Sequence, residues 1–167
     1  MKQEGFTQLG LNDGGSGTFS GTFSYGSRTC SIVVSGYSHT RSRYATVTNK
    51  YSDISNLLRS SFLRNSAGTI SVIISGLKAS TEYEMVTYHH STSFPRGGRQ
   101  FKLKYNDNPE ETLQQSANGQ NPDPPLIHTE QVKSTDDGKI SFSMETIGGG
   151  QAHMDLNALS IKEVSGK

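Results

Sequence analysis

Short runs in which apolar residues recur at every second position constrain this chain more than any other feature. In Thr69–Ser75, Ile70, Val72 and Ile74 share one parity, and in residues 100–105, Phe101, Leu103 and Tyr105 alternate with Lys102 and Lys104. A period of two is the mark of a strand with one buried face. The pattern returns in Lys139–Thr146, where Ile140, Phe142 and Met144 fall together. It returns again in residues 82–90, where Tyr83, Met85 and Thr87 lie opposite Glu84, Val86 and Tyr88. Residues 18–25 place Phe19, Phe23 and Tyr25 on one side, residues 30–37 form a β-branched run, and Leu126–Lys133 reads as a further strand. Half-buried strands at this spacing hide their apolar faces by stacking sheet on sheet.

The intervening segments supply turns. NDGGSG at residues 12–17 follows a short expected strand at 5–11, and TDDGK at 135–139 predicts a hairpin. Residues 38–51 read as a polar loop with a short strand near 45–48. In SDISNLLRSSFLRN, Ile54, Leu57, Leu58 and Leu63 approximate a helical stripe capped by Ser52 or Asp53. Two turns of helix are expected there, with Phe62 and Leu63 opening the next extended segment. Residues 106–125 hold four of the five prolines and predict an irregular excursion, in which 112–117 pair. In the last run, Met154 and Leu156 occupy even positions but Leu159 and Ile161 odd ones, which predicts a β-bulge near Asn157. Leu77 and Tyr83 in GLKASTEY resemble the tyrosine corner that locks a crossover between sheets. The expected fold is all-β, an antiparallel β-sandwich with at most one short helix, forming one domain over residues 1–167 with its core in 5–164.

Hydrophobic residues make up 31% of the 167, so the core is modest. The formal charge of +1 gives no net field to attract nucleic acid or a membrane, and neither is an expected partner. A lone cysteine, Cys30, forms no internal disulfide and sits in the apolar run CSIVV, where burial rather than reactivity is expected. Met1 leads into polar KQEG, which does not read as a signal peptide. An extracellular location is therefore expected only as a module of a larger secreted protein.

Chemistry-bearing side chains gather in two segments. His39, Arg41 and Arg43 lie in SHTRSRY, and His89, His90, Arg96 and Arg99 lie around the loop that follows residue 88. If those ends converge they form a rim of donors, with arginine forks suited to carboxylate, sulfate or vicinal hydroxyls. Tyr37, Tyr88 and Phe94, with Tyr44 and Tyr51, add rings on which the CH face of a sugar can pack. Tryptophan is absent, which argues against a flat platform for a crystalline polymer and for a cleft or loop site on a soluble chain.

Enzymatic patterns are weaker. There is no HExxH, no cysteine cluster and no GxSxG elbow. The glycines at 148–150 precede a strand instead of opening a helix. Glu82, Glu84, Glu145 and Asp155 are explained by alternation as readily as by glycoside hydrolysis. A small polysaccharide lyase, which needs a Tyr or His base beside an Arg, shares residue types with the rim. A structural or adhesion domain is a further alternative.

The stretches GYSHTRSRY, NLLRSSFLRN, ISGLKASTEYEMVTYHH and HMDLNALSIKEV resemble β-sandwich carbohydrate-binding modules of galactose-binding-like, jelly-roll form, which are appended to bacterial polysaccharide-degrading enzymes. The resemblance implies non-catalytic binding of a polysaccharide or oligosaccharide and tethering to a catalytic domain. It also implies a structural calcium, with Asp13, Asp155 and Asn157 as ligands and Glu4 as a weaker one. Arginine and histidine stand where many such modules show tryptophan, which directs the expectation to acidic or sulfated polysaccharides, with galactans next.

Overall fold

A computed structural model of the protein describes residues 15–42, 60–90, 99–115, 125–148 and 152–164. Among these residues the regular elements are all strands: β1 (Gly17–Tyr25), β2 (Arg28–Tyr37), β3 (His39–Ser42), β4 (Ser60–Arg64), β5 (Thr69–Ser75), β6 (Glu82–His89), β7 (Arg99–Tyr105), β8 (Glu111–Gln115), β9 (Leu126–Lys133), β10 (Lys139–Thr146), β11 (Met154–Leu156) and β12 (Ala158–Glu163). They form a six-stranded sheet in the order β1-β2-β5-β10-β7-β8 and two three-stranded sheets, β11-β4-β3 and β12-β6-β9. Every pairing is antiparallel.

Register explains the core. Phe19, Val34, Val72, Phe142 and Tyr105 stand opposite one another across five strands of the large sheet, and Ile32, Ile74 and Ile140 form a second row. These rows pack against Tyr83, Met85 and Val132 from one small sheet and Phe62, Met154 and Leu156 from the other, in a single cluster. Full burial of each such side chain contributes about 1.5–3 kcal/mol, so the alternating pattern fixes which face of every strand turns inward.

Most connections cross between the layers, as in a jelly-roll sandwich. The crossover from β5 to β6 is the tyrosine corner: the Lys78 backbone N–H donates to Tyr83 Oη at 3.0 Å. Tyr83 is 0% exposed, so this bond joins the crossover to the middle of the core.

Three expectations are corrected. Residues 135–139 do form a turn, but β9 and β10 belong to different sheets, so the turn passes between layers and closes no hairpin. Gly138 has φ +72, and a Cβ there would meet the Leu77 carbonyl oxygen at 2.3 Å, which is why a glycine stands in it. Residues 39–42, read as loop, form β3, a polar strand held by its ladder with β4. The parity change near residue 157 is not a bulge within one ladder. The chain stops pairing with β4 at Leu156 and starts pairing with β6 at Ala158. The expected elements at 5–11, 45–48 and in the first part of the helical stripe lie outside the described residues, while Phe62 and Leu63 stand in β4 as an extended segment.

Candidate functional site

The change of partner at Asn157 builds the seam between the two small sheets. Its backbone N–H donates to the Tyr88 carbonyl at 2.9 Å. Its side-chain Oδ1 accepts from the His90 backbone N–H at 2.6 Å, and its Nδ2 donates to the Ser60 carbonyl at 3.2 Å. One asparagine thus links the end of β6 to the start of β4.

Two residues earlier, Asp155 is 2% exposed and collects donors from three directions. Ser61 Oγ donates to Oδ1 at 2.9 Å, and Gln115 Nε2 donates to Oδ2 at 3.0 Å. His153 Nε2 lies 2.7 Å from the same Oδ2. Gln115 also accepts from the Asp155 backbone N–H through Oε1 at 3.1 Å, so its amide grips both the main chain and the side chain. Burial opposes the negative charge, but the contacts from His153, Gln115 and Ser61 outweigh it and hold the carboxyl below the usual range.

These contacts gather the strand ends from which three polar segments depart. Residues 43–59 run between β3 and β4, 91–98 between β6 and β7, and 116–124 between β8 and β9. Ser60, His90 and Gln115 each stand at one end of those segments, and together with Ser61 they bond to Asn157 or Asp155. Because Ser42 pairs with Ser60, the end of β3 and the end of β6 at His90, separate in sequence, meet through Asn157.

The expected site residues divide accordingly. Arg41 lies in β3 opposite Ser61, and His39 is exposed, with Nδ1 3.2 Å from Ser38 Oγ. Tyr88 is half-buried on the outward parity of β6 between Ala158 and Ile127. Arg43, Phe94 and Arg96 lie outside the described residues, as do Asp13 and Glu4. Tyr37 and His89 turn inward and are corrected as rim groups. Tyr37 packs on Phe62 with ring centroids 4.9 Å apart. His89 is 0% exposed, with Nδ1 2.8 Å from the Asp155 carbonyl and Nε2 2.9 Å from Thr87 Oγ1. Burial lowers its pKa to about 4, so the ring is neutral at physiological pH. His90 and Arg99 are also buried, at 4% and 9% exposure.

Asp155 and Asn157 do not fit the implied calcium. Both Asp155 oxygens already face N–H and O–H donors, and Asn157 Oδ1 faces a backbone N–H, whereas Ca²⁺ needs several oxygens directed at one point. Nor do Ser61, His153 and Asp155 form a catalytic relay. Both partners contact the carboxylate, which stands between serine and histidine, whereas a nucleophile needs the imidazole beside its hydroxyl. Gln115, Ser61 and His153 were not legible as a site in the sequence, although Gln115 shares the inward parity of Leu113 in β8.

No protein-family model matches the sequence, and no curated protein matches it. Solved structures similar to it include the CBM35 from Cellvibrio japonicus Abf62, at 14% identity over 65% of this chain and 76% of that one, with a TM-score of 0.45. The EclA C-terminal domain, a sugar-binding protein, is 18% identical over 59% of this chain and 69% of its own, with a TM-score of 0.45. TmCBM61 in complex with β-1,4-galactotriose is 10% identical over 88% of each chain, with a TM-score of 0.41. The chain also resembles a portion of the GH115 4-O-methyl-α-glucuronidase BtGH115A, at 11% identity over 64% of this chain and with a TM-score of 0.46, but spans only 15% of that enzyme's length.

Proposed function

We propose that the protein is a non-catalytic carbohydrate-binding module, and that it binds its glycan at the end of the sandwich where residues 43–59, 91–98 and 116–124 depart. The observation that carries the reading is the convergence of those three roots on Asp155 and Asn157. Arg41 lies near the end of β3 with His39 on the same strand, Tyr88 lies near the end of β6, and Arg43, Phe94 and Arg96 belong by sequence to the segments that depart there. Guanidinium forks suit carboxylate or sulfate groups and rings suit the CH face of a sugar, so an acidic or sulfated polysaccharide is the ligand class proposed, with galactans second. In this reading the module is secreted as part of a larger bacterial protein and holds a tethered catalytic domain near its polymer. A shallow, solvated site of this kind binds at roughly micromolar to millimolar strength.

Affinity electrophoresis against charged and neutral polysaccharides tests the proposal. Retardation by at least one polymer, reduced by Arg41→Ala and Arg96→Ala, is the expected result. Migration unchanged by every polymer would overturn it.

A further inference from the structure

We propose that Glu111, His128 and Glu130 form a binding site for a divalent transition metal, zinc by preference, at the open edge of the sandwich between β8 and β9. β8 is the last strand of the large sheet and β9 the last of the β12-β6-β9 sheet. Glu111 stands opposite Leu103, His128 opposite Thr87, and Glu130 opposite Met85. Leu103, Thr87 and Met85 are core residues at 1%, 0% and 0% exposure, so all three polar groups stand on inward-facing positions of edge strands. Most inward-facing positions elsewhere in the sandwich carry apolar side chains.

The donor atoms of the three residues lie within 4.8 Å of one another, and His128 Nε2 is 3.1 Å from Glu111 Oε2. Their orientation is fixed from outside the cluster. Asn108 Nδ2 donates to Glu130 Oε1 at 2.6 Å and to the Gln131 carbonyl at 3.0 Å, which holds the carboxylate in place. The Tyr105 ring stacks on the His128 imidazole with centroids 6.4 Å apart and planes 12° from parallel. Such outer contacts are what orient metal ligands.

Inward-pointing charges alone can guard an edge against pairing with another chain. That role needs no histidine and no common focus. It also leaves unexplained why two carboxylates converge while the described lysines that form ion pairs, Lys78, Lys102 and Lys139, pair with Glu163, Glu110 and Asp137 instead. His128 Nδ1 is buried and has no hydrogen-bond partner among the described residues, so the ring's hydrogen bond there is the one from Nε2 to Glu111. A nitrogen ligand beside two carboxylates favours zinc and its neighbours over calcium or magnesium. Glu111 is 51% exposed, which leaves an approach for the ion and a place for water as a fourth ligand. Bound there, the metal would bridge the two layers at the edge where no ladder joins them.

The test is calorimetric titration of Zn²⁺ into the metal-free full chain at pH 7.5, with thermal melts in zinc and in EDTA. One equivalent should bind and raise the melting temperature. Glu130→Gln and His128→Gln should each weaken binding at least about tenfold, a typical cost of losing a ligand-sphere group, and remove the zinc-dependent rise. Circular dichroism in EDTA shows whether each variant is folded. Co²⁺ should give visible bands of tetrahedral intensity. Absence of stoichiometric binding would overturn the site, and so would an affinity unchanged in both variants, which would place the ion on other histidines.

Discussion

Acidification from pH 7.5 to pH 4 should destabilise the protein through His89. The ring is fully enclosed between Thr87, Phe101 and the Asp155 carbonyl. Burial is the main influence on it, ahead of the bond to Asp155, which acts in the opposite direction, and its pKa falls from 6.5 to about 4. In the unfolded chain the imidazole titrates at about 6.5, so below that pH the unfolded state takes up a proton that the folded state refuses. The stability linked to neutral His89 is therefore complete above about pH 6.5, declines as the pH falls, and is lost by about pH 4. At 1.36 kcal/mol per pH unit, the fall from 6.5 to about 4 corresponds to about 3 kcal/mol. For a chain of this length that is roughly 6–12 °C in melting temperature. Urea unfolding followed by far-UV circular dichroism across this range measures it, and the absence of tryptophan makes fluorescence the poorer probe. His89→Gln should be less stable than wild type at pH 7.5 and show a flatter pH dependence. A variant that keeps the full wild-type slope would refute the assignment of His89 to the core.

Asp155→Asn keeps the side chain's shape but sets an amide against His153, Gln115 and Ser61, and should cost about 3–5 kcal/mol in urea unfolding at neutral pH. A loss below 1 kcal/mol would show that the network is slack. Tyr83→Phe removes the acceptor for the Lys78 N–H and should cost about 1–3 kcal/mol, read from the denaturation midpoint, with no effect on glycan retention. Asn157→Ala frees the His90 N–H and the Ser60 carbonyl together, so it should lower both stability and retention by polysaccharide gels. Retention equal to wild type would separate the seam from the binding site.

The strands Thr69–Ser75, Leu126–Lys133 and Lys139–Thr146 were legible to the residue. In each, the pairing geometry and the need to bury one face act on the same positions. β3 was not legible, because His39, Thr40, Arg41 and Ser42 carry no apolar signal and the strand is held by its ladder to β4. The shift of parity at residue 157 was visible, but a local pattern cannot say whether a strand bulges or changes partner. The turn at 135–139 was visible for the same reason that its role was not: turn chemistry reports the bend and not which strands pair beyond it. His89 shares the odd parity of Tyr83, Met85 and Thr87, which turns it into the core, whereas its residue type had pointed to the rim. The contacts of Asp155 with Ser61 and Gln115 join residues 94 and 40 positions apart, a convergence that no spacing rule reaches.

The most direct test of the glycan reading is a residue-by-residue map of binding. In ¹⁵N-labelled protein titrated with a charged oligosaccharide from the polymer that retards it most, the shifted amides should cluster at His39, Arg41, Ser60, Tyr88, His90 and within 91–98. Shifts confined to the outer face of the large sheet, or none at saturating sugar, would contradict it.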